Sequence, residues 1–102
     1  SPDLRSVRIA EGTSVVQRVY KAPGGLIRAT LHVEEGVVAH VELSGDFFFF
    51  PAERLPELEA ALVGVRLDEA EEAIAGFYGE HDIESPGVTP ADLAMALGAS
   101  KA

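Results

Sequence analysis

The chain has 102 residues, 47% hydrophobic and 25% charged, enough for one domain with a single modest core. Seventeen Asp and Glu against eight Lys and Arg leave a formal net charge of −9, which disfavours a nucleic-acid backbone or an anionic membrane as partner. There is no cysteine, which removes disulfides, thiolate nucleophiles and thiolate metal ligands. The same absence fits a reducing compartment, and no apolar run approaches the ~20 residues of a membrane span, so the expected location is the cytoplasm. Charge is uneven along the chain: residues 1–33 hold five bases and two acids, and residues 34–102 hold three bases and fifteen acids. A basic first third on an acidic domain suits a local docking surface, or simply a mixed solvated one.

Residues 1–14 set Val7 and Ile9 among Arg5, Arg8 and Glu11, and read as a loose arm or a short first strand. Val15–Lys21 has strand composition, but Val15, Val16, Val19 and Tyr20 do not alternate cleanly, so its buried face stays open. Ala22-Pro23-Gly24-Gly25 predicts a tight turn or kink. Residues 26–34 alternate, with Ile27, Ala29, Leu31 and Val33 apolar, and residues 37–44 repeat the pattern with Val37, Ala39, Val41 and Leu43. If odd positions face the core on both strands, odd must pair with odd. A two-residue loop at Glu35-Gly36 would pair Glu34 with Val37 and flip one strand. A three-residue loop, Glu34-Glu35-Gly36, pairs Val33 with Val37, Leu31 with Ala39 and Ala29 with Val41, and is the expected register.

Ser44-Gly45-Asp46-Phe47-Phe48-Phe49-Phe50-Pro51 is the stretch around which the rest is organised. Each ring carries ~150 Å² or more, several kcal/mol of burial at ~25 cal/mol per Å². Strand geometry sends Phe47 and Phe49 one way and Phe48 and Phe50 the other. One pair is expected in the core and the other available to a partner, where the hairpin hands over to helices.

Leu55, Leu58, Ala61 and Leu62 make a helical stripe, and Pro56 fits only the first turn, so a helix should run from about residue 53 to Gly64. A second helix has Asp68 as N-cap with Glu71 three residues on, a stripe of Ala70, Ile74 and Phe77, and Gly79 as its stop. Thr89-Pro90-Ala91-Asp92 is an N-cap, a first-position proline and an acidic third position, opening a short helix that ends at Gly98. Strands first and helices after predict an α+β fold, residues 1–102 as one domain, with an antiparallel sheet and about three helices mainly on one face.

Several groups carry possible chemistry. His32 and His40 fall on the outer hairpin face as diagonal neighbours, either a solvated pair or two ligands of a metal with Glu34 or Glu42 as further contributors. Asp46 is a tuned buried carboxylate or a turn-closing one. Pro23-Gly24-Gly25 with Lys21 and Arg28 is an anion cradle or a structural turn, and lacks the P-loop spacing. None of these is a self-sufficient active site, and no metal ligand set is complete.

Tyr20-Lys21-Ala22-Pro23-Gly24-Gly25-Leu26-Ile27-Arg28, a hairpin, Leu43-Ser44-Gly45-Asp46-Phe47-Phe48, a Leu-rich helix and a final Thr-Pro-Ala-Asp-Leu together resemble the C-terminal accessory domain of lipoate-protein ligases, over roughly residues 15–98. The resemblance implies a small α+β unit similar in fold to NifU-like and SufE-like proteins. It implies a non-catalytic accessory subunit, not an enzyme alone, whose partner is a separate catalytic subunit and, through it, lipoyl-acceptor domains. It further implies lipoate, ATP and Mg in the complex and no cofactor on this chain alone. Lys21, Gly24, Gly25, Gly45, Asp46 and Phe47 stand at the family-pattern positions. The expected partner-facing surface adds Arg28, Phe48 and Phe50 to these. A second reading is a free-standing module for a small ligand or metal, related in fold to iron–sulfur assembly proteins but without cysteine ligands.

Overall fold

In the computed structural model, residues 4–10 and 12–99 are described. Four strands, β1 (Leu4–Ala10), β2 (Thr13–Ala22), β3 (Gly25–Glu34) and β4 (Val37–Asp46), form one antiparallel sheet in the order β1-β2-β3-β4. Three helices follow: α1 (Arg54–Leu62), α2 (Ala70–Glu80), entered through a 3-10 turn at Leu67–Glu69, and α3 (Pro90–Leu97). The α+β order read from the sequence is what the chain adopts. Among the described residues no helix is long and apolar enough to cross a membrane.

Helix α1 lies on β4, α3 on β2 and β3, and α2 packs on α1 and α3. The core sits between the helices and one sheet face, built from Ile27, Ala29, Leu31, Val38, Val41 and Leu43 of the sheet with Leu58, Leu62, Ile74, Leu93 and Leu97 of the helices. Among the described residues no helix packs on the other sheet face.

The hairpin register differs from the expected one. The loop is the two-residue Glu35-Gly36, with φ of 53° and 78°, so Glu34 pairs with Val37 and Val33 with Val38. The pairing then shifts by one, with Ala39 left unopposed, and resumes as His32 with His40, Leu31 with Val41 and Ala29 with Leu43. A turn with both central φ positive matches the twist of the strands, and a bulge absorbs the parity conflict that such a loop creates. Val38, 1% exposed, thereby enters the core in place of Val37 and Ala39. The free edge at Val38 is covered by bonds from its N–H to Val65 O (2.9 Å) and from Gly64 N–H to its carbonyl (2.8 Å). Further along the same edge, Leu43 N–H donates to Glu59 Oε2 of α1 at 2.6 Å. Both devices close an edge that would otherwise present unpaired ladder groups.

Helix α1 buries Leu58 and Leu62, whereas Ala61 is exposed, so the stripe is narrower than the sequence spacing suggested. Asp68 does not cap α2: it sits in the 3-10 turn, paired with Arg66 at 3.2 Å. Nor does Gly79 stop α2, which continues to Glu80 because Phe77 and Tyr78 hold the last turn against the core and the following loop. Helix α3 follows its sequence signals closely. Thr89 and Asp92 make a reciprocal capping box, Pro90 takes the first turn, and Gly98 ends the helix at φ 76°.

The missing alternation in β2 has a specific cause. Arg18 pairs with Ala29 and so lies on the helix-covered face, where its Nε donates to Ala96 O at 3.1 Å in the last turn of α3. A guanidinium there satisfies an orphan carbonyl and opposes the negative end of the helix. Arg18→Met is expected to lower stability by about 1–2 kcal/mol, measured by denaturant unfolding, with a smaller loss for Arg18→Lys.

Candidate functional site

The glycine turn at Gly24-Gly25 and the phenylalanine run from Phe47, well separated in the chain, form one corner. Pro23-Gly24 is a two-residue turn joining β2 to β3, closed by the Ala22–Gly25 pair. At the same end of the sheet Leu26 pairs with Asp46 and Ile27 with Gly45. Gly25 has φ 140° and Gly45 φ 138°, a region open essentially to glycine alone. A Cβ on Gly25 would overlap the Asp46 carbonyl oxygen and lie 2.9 Å from its carbon, and one on Gly45 would overlap the Leu26 carbonyl in the same way. A third segment, Pro86-Gly87, completes the corner: Gly24 N–H donates to Gly87 O at 2.8 Å, and a Cβ on Gly24 would overlap Pro86 O. Locally Pro86-Gly87 signals only a turn, and nothing in its neighbours points to the contact with Gly24.

The chain then leaves the sheet through the phenylalanines. Phe47 and Phe49 meet edge to face at 6.4 Å, and Phe49 meets Tyr78 in the same manner at 6.3 Å. Phe48 and Phe50 stack on one another at 6.4 Å with 19° between ring planes, and they remain 56% and 55% exposed. The rings divide into two pairs as expected, but the inner pair is half-buried and outside the buried core: Phe47 packs against that core, and Phe49 packs on Phe47 and Tyr78. Phe50 is anchored by its backbone to Glu84, N–H to O at 2.9 Å and 2.8 Å in the two directions. The outer rings thus project from pinned backbone.

Lys21 and Arg28 are exposed on the uncovered sheet face. Asp46 is exposed as well and makes no side-chain hydrogen bond among the described residues, so neither the buried-acid nor the turn-closing reading describes it; its carbonyl, not its carboxylate, shapes the corner. His32 and His40 are directly opposed, not diagonal, because of the bulge. Each ring faces a glutamate of its own strand, His32 Nε2 to Glu34 at 3.4 Å and His40 Nε2 to Glu42 at 3.1 Å. Among the described residues no three His, Asp or Glu groups are placed to hold a metal.

Tyr78 ties the inner aromatic pair to the loop before α3. Its hydroxyl shares a hydrogen bond with Ser85 Oγ at 2.8 Å, and Ser85 Oγ donates to Val88 O at 2.7 Å. Burial pushes the Tyr78 phenol above its ordinary 10.0, and the Ser85 bond offsets part of that. An acid whose folded pKa is raised contributes stability that is intact below its unfolded value and fades as pH climbs through the folded one. Thermal midpoints should therefore fall above about pH 10, and Tyr78→Phe should flatten part of that alkaline limb while costing about 1 kcal/mol at neutral pH through the lost Ser85 bond.

The corner thus carries exposed aromatic area at the end of the sheet, with Lys21 and Arg28 exposed on the same sheet's outer face. A family model described as bacterial lipoate protein ligase C-terminus matches residues 14–97. Over 78 residues, 76% of this chain and 82% of the relative, the sequence is 38% identical to lipoate-protein ligase A subunit 2 of Thermoplasma acidophilum. A chain in the solved structure of the bipartite lipoate protein ligase and E2 lipoyl domain of that organism superposes with a TM-score of 0.78 at 34% identity, covering 83% of this chain and 96% of that one.

Proposed function

The chain belongs to the bacterial lipoate protein ligase C-terminus family, and from that membership we propose that it serves as the accessory, non-catalytic subunit of a two-part lipoate-protein ligase. A separate catalytic subunit holds lipoate, ATP and Mg²⁺, forms lipoyl-adenylate and modifies the acceptor protein. The present chain is needed for the activation step. The observation that carries this reading is the match to a ligase subunit 2 across 82% of that subunit's length, so that relative is itself a small polypeptide made up largely of this domain.

The surface proposed to meet the catalytic subunit is the corner. Gly24, Gly25 and Gly45 bring its segments together, Lys21 and Arg28 supply local positive charge, and Asp46 and Phe47 lead into the exposed Phe48–Phe50 stack. Aromatic side chains on pinned backbone make efficient anchors because little conformational freedom is lost on docking. The test is reconstitution. Catalytic subunit, ATP, Mg²⁺, lipoate and acceptor should give lipoylated acceptor when this chain is added and far less without it. Lipoylation by this chain alone, or no gain in the mixture, overturns the reading.

A further inference from the structure

The outer sheet face carries an unexpected balance of charge. Among the other arginines with described side chains, Arg18 bonds Ala96, Arg54 pairs with Glu57 and Arg66 with Asp68. Arg28 has no ion-pair partner among the described residues, in a chain with 17 acids and 8 bases. Strand register explains this. Arg28 is opposed by Val19 on β2 and by Ser44 on β4, neither of them acidic. The acids diagonal to it are Glu42, which is engaged by His40 at 3.1 Å, and Asp46, at the strand end.

Around Arg28 lies a recess of about 290 Å³ whose lining includes Gln17, Val19, Thr30 and Ser44. The polar side chains that strand parity puts on this face, those of Gln17, Arg28, Thr30 and Ser44, can all donate hydrogen bonds, Arg18 of the lining is engaged with Ala96, and no carboxylate lines the recess. That is a site complementary to an oxyanion. Its volume is at the lower limit for a small-molecule pocket and suits the head of one acidic side chain. Ser44 of the recess lies near the end of β4, four residues before Phe48 on the same segment. Two alternatives are occupied: helices cover the opposite sheet face, and Glu59 and Val65 bond the edge of β4 at Leu43 and Val38.

We propose that this recess receives a carboxylate side chain of the catalytic subunit, which makes the uncovered sheet face, continuous with Phe48 and Phe50, the subunit interface. The inference rests on the accessory-subunit reading. A planar guanidinium with flanking hydroxyls holds a carboxylate through two parallel bonds and fixes its orientation, so the contact sets register as well as affinity.

The experiment is calorimetric titration of the intact chain into its catalytic subunit at low and high salt, with reconstituted ligase activity as second readout. If the parent chain neither binds nor supports activity, the accessory-subunit reading falls and this inference with it. Given a binding parent, Arg28→Gln is expected to weaken binding about tenfold and Arg28→Glu about a hundredfold, and the salt dependence should shrink with Arg28→Gln. Ser44→Asp supplies Arg28 with an internal partner and fills the recess, so it should weaken binding about tenfold without lowering the thermal midpoint. Glu72→Gln, exposed on α2, should bind like the parent. If folded Arg28→Glu and Ser44→Asp bind and activate as the parent does, the recess is not the contact, and the accessory role stands without it.

Discussion

Gly25→Ala is expected to destabilise the chain by about 3 kcal/mol or more, a fall of roughly 12 °C or more in thermal midpoint for a domain of this size. Two effects add at this position. At φ 140° an alanine is strained wherever its methyl points, and here the methyl points at the Asp46 carbonyl. That carbonyl is strand backbone and has no rotamer to escape into. Moving it would disturb the Leu26–Asp46 and Ile27–Gly45 pairs that close the sheet at this end. Gly45→Ala should behave alike, because its methyl would meet the Leu26 carbonyl. Lys21→Ala, exposed and without a partner among the described residues, should stay within about 0.5 kcal/mol of the parent. Thermal and urea unfolding of the three variants decides the point. A Gly25→Ala chain melting within two or three degrees of the parent would mean that these glycines are held for another reason.

The second large effect concerns binding. Phe48→Ser combined with Phe50→Ser should weaken association with the catalytic subunit by at least about 2 kcal/mol, some thirtyfold, while stability moves by no more than about 0.5 kcal/mol. The two residues stack on each other and are 56% and 55% exposed, so the folded monomer gains less from them than from the inner pair. Phe49→Ser should do the reverse. Its ring packs edge-on against both Phe47 and Tyr78, and its removal should lower stability by about 2–4 kcal/mol. Parallel melts and titrations separate the two behaviours. A folded Phe48→Ser/Phe50→Ser chain that activates the ligase as well as the parent would remove the outer rings from the interface. The contrast is informative because four identical side chains in a row are divided into two roles by backbone alternation alone.

That division could be read in the sequence, as could the order of strands and helices, the buried odd positions of β3 and the boundaries of α3. Each is a local property: alternation, a 3.6-residue stripe, a Thr-Pro-Ala-Asp start and a glycine stop. The candidate site was legible in a different sense. The two short motifs carrying the family resemblance were visible, but their meeting was not, and Pro86-Gly87 carried no mark that it would wedge under Gly24. The irregular pattern of β2 was visible too. Its cause, a cation reaching the end of a helix 78 residues away, was not.

Local chemistry therefore settled which elements form and which faces are apolar, since burial and backbone preference act over a few neighbouring residues. Contacts between distant segments settled the rest. The Glu35-Gly36 turn and its compensating bulge chose the register, with Val38 rather than Val37 or Ala39 in the core. Packing of Phe77 and Tyr78 carried α2 past Gly79, and carbonyls from other strands, not turn geometry alone, made Gly25 and Gly45 obligatory. The physical reason is common to all of these: strain and ladder pairing are shared between segments, so their balance exists only once the chain has closed on itself.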